Sequence, residues 1–147
     1  MKMAIRSLAV VSALAALATL GCATASSAIP SSVTSNPLVS SLTSGLGVNP
    51  EQAVGGTAAM MGLAQNKLSP DQFSAVSNAV PGLGDITKAA GPLLGSSPLS
   101  SLTDVQGAFS KLGMSPDMVT KFAPVITDAV SKGGGSAVSG LLGGLFK

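Results

Sequence analysis

The sequence predicts an all-α fold, a small bundle of six to seven short helices. Three observations carry this. Apolar residues recur at spacings of three and four, no stretch alternates with period two as a strand would, and paired Asn/Ser-Pro signals mark one helix start after another. The clearest is Leu46-Gly47-Val48-Asn49-Pro50-Glu51, which returns as Leu112-Gly113-Met114-Ser115-Pro116-Asp117. In each copy glycine supplies a left-handed stop, Asn or Ser caps the next helix, and proline takes its first position. A carboxylate then sits at the positive helix end, a placement that stabilises by ~0.3–1 kcal/mol.

Composition agrees. The chain has 147 residues, 46% hydrophobic and 10% charged, a balance suited to one folded domain. Phe73, Phe109, Phe122 and Phe146 are its only aromatics, and it lacks histidine. Alanine, glycine, leucine and serine dominate and suit closely packed helices.

Residues 1–25 read as an export signal. Lys2 and Arg6 precede an apolar run over residues 8–20, too short for a membrane span. Two processing routes are open. Ala23-Thr24-Ala25 offers an A-x-A site that releases a soluble chain starting at Ser26. Thr19-Leu20-Gly21-Cys22 resembles a lipobox, which makes Cys22, the single cysteine, the lipidation candidate and a membrane tether. Either route leaves no thiol in the folded domain. Without Lys2 and Arg6, six lysines face six acids, so the mature part is neutral and carries no basic face for nucleic acid.

Residues 26–35 read as a flexible tether and 36–147 as the helical domain. Asn36-Pro37 opens a helix with Leu38, Val39, Leu42 and Leu46 on one stripe, and Asn49-Pro50 opens the next, reaching about Asn66. Gly55, Gly56 and Gly62 weaken that helix and imply a closely approaching backbone. Ser69-Pro70-Asp71 starts a third, stopped by Pro81-Gly82. Residues 85–94 follow, with Gly91-Pro92 expected to bend or end them. Ser97-Pro98 is read as opening a helix through Leu99, Leu102, Val105, Phe109 and Leu112. Ser115-Pro116-Asp117 opens the most strongly patterned one, kinked at Pro124. Gly133-Gly134-Gly135 breaks the chain, and Ser136 caps a last helix with Leu141, Leu142, Leu145 and Phe146.

Two further matches flank the repeated turn in the same order. Residues 39–43 match 99–103, and residues 74–77 match 136–139. The order suggests a degenerate tandem repeat of two helical halves, meeting near residues 82–97.

The runs at residues 38–53, 68–73, 79–82 and 113–119 resemble the VcgC/VcgE-type domain of unknown function. The resemblance extends from about Leu38 to the C-terminus and is weakest at residues 82–97. It implies an exported bacterial helical protein and carries no catalytic residues over to this chain.

A search for chemistry returns architecture. Glu51, Asp71 and Asp117 follow helix starts. No carboxylate pair is evident for acid–base work, and no His or mature Cys is available to bind a metal. No serine stands in G-x-S-x-G or three residues before a lysine. Gly133-Gly134-Gly135-Ser136 lacks the P-loop Lys and reads as a hinge rather than an anion cradle. Gly140 and Gly144 form a small-xxx-small pair, read first as packing within the domain and second as a self-association face or a contact with a membrane surface.

The expected function is therefore that of an exported, non-enzymatic structural or interaction module of the cell envelope. It would sit in the periplasm or on the outer membrane through Cys22, with a secreted soluble form as the alternative. The expected partner is an unknown protein or a second copy, with no cofactor, metal or nucleic acid. The alternative is a module for an apolar small molecule or lipid, for which a groove lined by Met60, Met61, Met114 and Met118 would speak. Gly47, Asn49, Pro50, Ser69, Pro70, Gly113, Ser115 and Pro116 are expected to shape the helix-start turns.

Overall fold

The computed structural model describes residues 29–95 and 98–146. All regular structure among them is helical: α1 (Ser31–Thr34), α2 (Pro37–Leu46), α3 (Pro50–Lys67), α4 (Pro70–Ala79), α5 (Leu83–Leu94), α6 (Leu102–Lys111) and α7 (Met118–Leu145). The all-α expectation holds.

Helix α3 is the axis of the bundle, packed against α2, α4, α5, α6 and α7. Residues 53–61 are buried without interruption. An Ala- and Gly-rich helix has no polar face to keep in water, so neighbours can cover it on all sides. Its one buried polar side chain in that run, Thr57, donates its hydroxyl to the Ala53 carbonyl at 2.7 Å. The three glycines of α3 admit side chains rather than a second backbone, which corrects the sequence reading. A Cβ at Gly56 would meet the Phe122 and Phe109 rings, one at Gly55 the end of Leu112, and one at Gly62 the end of Leu99.

The folded region begins earlier than the predicted boundary at residue 36. Ser31–Thr34 forms the short helix α1, Val33 is buried, and Ile29 packs against the core. Helix α1 is anchored because it touches α2, α3 and α5. The described part of the predicted tether is thus helical turn and core contact.

Helix α5 runs through Pro92 to Leu94 and stops at Gly95. Pro92 falls in the last turn, so Gly95 still donates to the Gly91 carbonyl at 3.0 Å. Helix α6 starts four residues later than the Ser-Pro pair suggested. Ser101 is its cap, accepting from the Asp104 N–H at 3.2 Å, while Asp104 Oδ2 accepts from the N–H groups of Ser100 and Ser101 at 3.1 and 3.0 Å. This reciprocal box satisfies donors that a start at Pro98 would leave to solvent. Leu99 lies outside the helix and fills the space over Gly62.

Helix α7 keeps helical backbone angles through Pro124 and departs from them only at Gly135, with φ 82° and ψ 175°. The chain folds back there, so α7 consists of two arms, residues 118–134 and 136–145. Gly133 lies against Ala79 of α4 so closely that a Cβ would overlap the Ala79 carbonyl oxygen, and a Cβ at Gly134 would press on the Ala79 methyl. The glycine triplet therefore serves both as a break and as the seat of the α4–α7 crossing.

The two proposed halves share the turn geometry: Gly47 has φ 66° and Gly113 φ 74°. The flanking matches diverge, since residues 39–43 lie inside α2 whereas residues 99–101 precede α6. The arrangement does not establish a tandem repeat. Residues 83–94 are no seam between halves either, for α5 packs on α3 with Leu83, Ile86 and Ala90 in the core.

Candidate functional site

The helix-start turns are built from local hydrogen bonds. Asn49 caps α3, accepting from the Gln52 N–H at 2.8 Å while Gln52 Oε1 accepts from the Asn49 N–H at 3.1 Å. Ser69 and Gln72 make the same exchange at α4, at 3.4 and 3.0 Å, and Pro50 and Pro70 occupy the first helical positions. Ser115 differs from its expected role. Before α7, the N–H groups of Met118, Val119 and Thr120 donate to the carbonyls of Ser115, Pro116 and Asp117 at 2.9, 3.2 and 3.2 Å. Those main-chain carbonyls take the first donors, and the residue at the cap, Asp117, makes no side-chain cap bond.

The carboxylates are distributed in the same way. Glu51, Asp71, Asp85 and Asp104 stand in the first turns of α3, α4, α5 and α6, and Asp117 stands at the start of α7. The remaining acid, Asp128, pairs with Lys132 at 2.8 Å across one turn of α7, both side chains largely in water. Such an exposed pair contributes about 0–1 kcal/mol. Hydrogen bonds from the Ser101 side chain and from the Ser100 and Ser101 backbone hold the Asp104 carboxyl below the usual carboxylate range. No three metal-ligating side chains gather among the described residues.

Two clefts flank the first arm of α7. One, of ≈ 380 Å³, opens between the start of α2, the end of α4 and α7. Leu38, Val80, Val125 and Ala129 make its apolar wall, and Asp128 and Lys132 lie on its rim. Asn36 closes its end and carries two tasks. Its Oδ1 accepts from the Leu38 N–H at 3.0 Å, and its Nδ2 donates to the Pro81 carbonyl at 2.6 Å, tying the start of α2 to the turn before α5. The other cleft, of ≈ 460 Å³, lies between the two arms of α7, with Ala123, Thr127 and Ser131 on one side and Ser139, Gly143 and Phe146 on the other.

The methionine groove is absent from these clefts. Met60, Met61 and Met114 are buried in the core, and Met118 packs at its edge. Gly140 and Gly144 do not pack within the domain as first read. Both are exposed, and a Cβ at either would meet nothing within 4 Å. Cys22 and the export signal lie outside the described residues.

A family model described as "Protein of unknown function VcgC/VcgE (DUF2780)" matches residues 6–146. The chain belongs to that family. The match reaches well upstream of Leu38, where the resemblance in the sequence began, and its bounds include residues 82–97. No curated protein and no solved structure matches the chain.

Sequence reasoning passed over three bridging side chains. Gln52 Nε2 donates to the Leu112 carbonyl at 3.1 Å, Asn36 bonds to Pro81, and Asn66 Nδ2 donates to the Leu99 carbonyl at 3.1 Å. Gln52 carried a usable local signal, an amide three residues after the cap. The long-range bonds of all three had none.

Proposed function

We propose that this VcgC/VcgE family member is an exported, non-enzymatic interaction module of the bacterial cell envelope, held at the membrane through a lipid on Cys22. The observation that supports the non-enzymatic reading is the employment of the carboxylates. Five of the six acids sit at helix starts and the sixth, Asp128, in a surface ion pair. A hydrolytic or transfer site needs groups that converge on one reacting atom with separated proton affinities. Here the same groups are spread over five helix ends, where their charge opposes the positive end of the dipole. The core polar groups are likewise committed to structure, Thr57 to Ala53 and Asn36 to Leu38 and Pro81.

A second reading, an apolar small-molecule or lipid module, is favoured by the cleft between α2, α4 and α7. At ≈ 380 Å³ it falls within the size of ordinary ligand pockets, and its wall is aliphatic. The observed wall of Leu38, Val80, Val125 and Ala129 takes the place of the expected methionines.

Intact-mass analysis of protein purified gently from its native envelope tests both readings. Acyl mass on Cys22, with Cys22→Ser releasing the chain from membranes, supports the tether; a chain starting at Ser26 refutes it. Co-purification of one apolar compound in stoichiometric amount, lost on Val80→Asp, would replace the interaction reading with the ligand reading.

A further inference from the structure

Gly135 is the one residue inside α7 whose backbone leaves helical values, at φ 82° and ψ 175°. That region is open essentially to glycine, and other residues hold it only under strain. A Cβ at Gly135 would meet no atom within 4 Å. The backbone angle alone, rather than packing, therefore makes the position depend on glycine.

The arms joined by Gly135 are both helical, and each turns one face towards the other. Ala123, Thr127 and Ser131 recur every four residues on the first arm, as do Ser139 and Gly143 on the second, across a cleft of ≈ 460 Å³. The second arm is held to the domain by its apolar side. Leu142 is fully buried, and Val138, Leu145 and Phe146 pack against the core. Rotation at Gly135 to helical values would turn the hairpin into one continuous helix of 28 residues. That movement carries Leu142 out of its own domain and leaves its socket empty.

We propose that Gly135 is a hinge through which residues 136–145 open and dock into the same socket of a second copy of this chain, giving an arm-exchanged dimer. The partner is a second copy because the socket for Leu142 already has the right shape in every chain. Exchange recreates each contact of the closed form between two molecules, so the states differ chiefly at the hinge and in the entropy of association. The closed chain holds position 135 at a value that glycine alone adopts freely, whereas the open chain has an ordinary helix there. The proposal is independent of the tether and of the ligand reading.

Gly135→Ala tests it in the full mature chain. Alanine is strained in the closed hinge and favourable in the continuous helix. By size exclusion with light scattering, the variant's dimerisation constant should exceed that of the wild type at least roughly thirtyfold, because each exchanged pair relieves two hinges. Adding Leu142→Ala removes the same buried contact from both forms, so with helicity by circular dichroism retained it should leave the proportion of dimer unchanged. A folded Gly135→Ala chain that stays monomeric over the accessible concentrations overturns the proposal, as does a dimer that Leu142→Ala abolishes while the monomer stays folded. If the variant fails to fold, the wild type decides. Isotope-labelled and unlabelled chains, mixed at high concentration, warmed and cooled, should give a mixed dimer by native mass spectrometry. Monomer alone after that treatment overturns the hinge.

Discussion

The side-chain amide of Gln52 donates to the main-chain carbonyl of Leu112, 3.1 Å away and 60 positions along the chain. The same side chain accepts from the Asn49 N–H and so caps α3. One residue thus closes the first helix-start turn and clamps it to the end of α6, where the second turn begins. The two copies of the turn that stand out in the sequence touch each other in the fold.

Gln52→Glu separates these tasks. Glutamate can still accept from Asn49 but cannot donate to Leu112, and it sets a negative charge against that carbonyl. The loss should be about 0.5–1.5 kcal/mol or slightly more, the net worth of one hydrogen bond. Gln52→Ala, which also loses the cap, should be worse. Urea midpoints for the two variants and the wild type check the order; a Gln52→Glu midpoint equal to that of the wild type would mean the bond to Leu112 contributes nothing.

Asp104 gives the chain a predictable acid limb. Its carboxyl is held below the usual value of 3.8 by bonds from Ser101 and Ser100. A carboxylate whose folded pKa is depressed contributes stability that is present above its unfolded pKa and lost as pH falls through the folded pKa. Wild-type stability should therefore fall as pH drops from the unfolded carboxyl's ordinary value through the lower folded one, part of it through this group. Asp104→Asn, uncharged throughout, should show a shallower fall between the same limits. Unfolding midpoints at each pH, with the Asp104 titration followed by NMR, provide the measurement.

Helix starts were legible because their signals are local. Asn36-Pro37, Asn49-Pro50 and Ser69-Pro70 each place cap, proline and first turn within four residues, and each opens its helix as read. The start of α6 was misread because Ser97-Pro98 and Ser101-Leu102-Thr103-Asp104 are competing signals of the same kind. The reciprocal bonds between Ser101 and Asp104 decide it, whereas the position three residues after Ser97 is Ser100, which offers no acid or amide to complete such a box. Burial of α3 on all sides was not legible, since an Ala/Gly run has no stripe to read. The clefts were illegible too, because one needs α2, α4 and α7 together and the other needs the fold-back at Gly135.

The glycines of α7 should respond to alanine with opposite signs. At Gly133 the new methyl overlaps the Ala79 carbonyl oxygen, a backbone atom fixed within α4. The helices must then part, at a cost of about 1–3 kcal/mol. At Gly140 and Gly144 the methyl points into open space, so alanine should stabilise by roughly 0.5–1 kcal/mol through helix propensity alone. Thermal unfolding of the three single variants checks this. A neutral Gly133→Ala would mean that the α4–α7 crossing is slack.

Gly55 and Gly56 are adjacent on α3, and helix propensity favours alanine at both by about 1 kcal/mol. Their neighbours differ in what they can yield. A Cβ at Gly55 would come within 2.6 Å of Leu112 Cδ1, the far end of a flexible and partly exposed side chain. Leu112 can turn aside, and little should be lost. A Cβ at Gly56 would come within 2.6 Å of Phe122 Cε1 and 3.1 Å of Phe109 Cζ. Both rings are fully buried and meet edge to face, with centroids 5.0 Å apart and an interplanar angle of 80°. Neither ring can tilt without disturbing the other, and an aromatic pair of this kind contributes about 0.5–1.5 kcal/mol beyond its burial. Gly56→Ala should therefore destabilise by about 1–3 kcal/mol despite the gain in propensity, the usual range for overpacking. Gly55→Ala should lie near zero or be mildly stabilising. Replacing Phe109 by leucine in the Gly56→Ala background should recover part of the loss, because the facing ring then gains room to move. If the two alanine variants unfold together, or if the leucine brings no recovery, the Phe109–Phe122 pair is not what requires glycine at position 56.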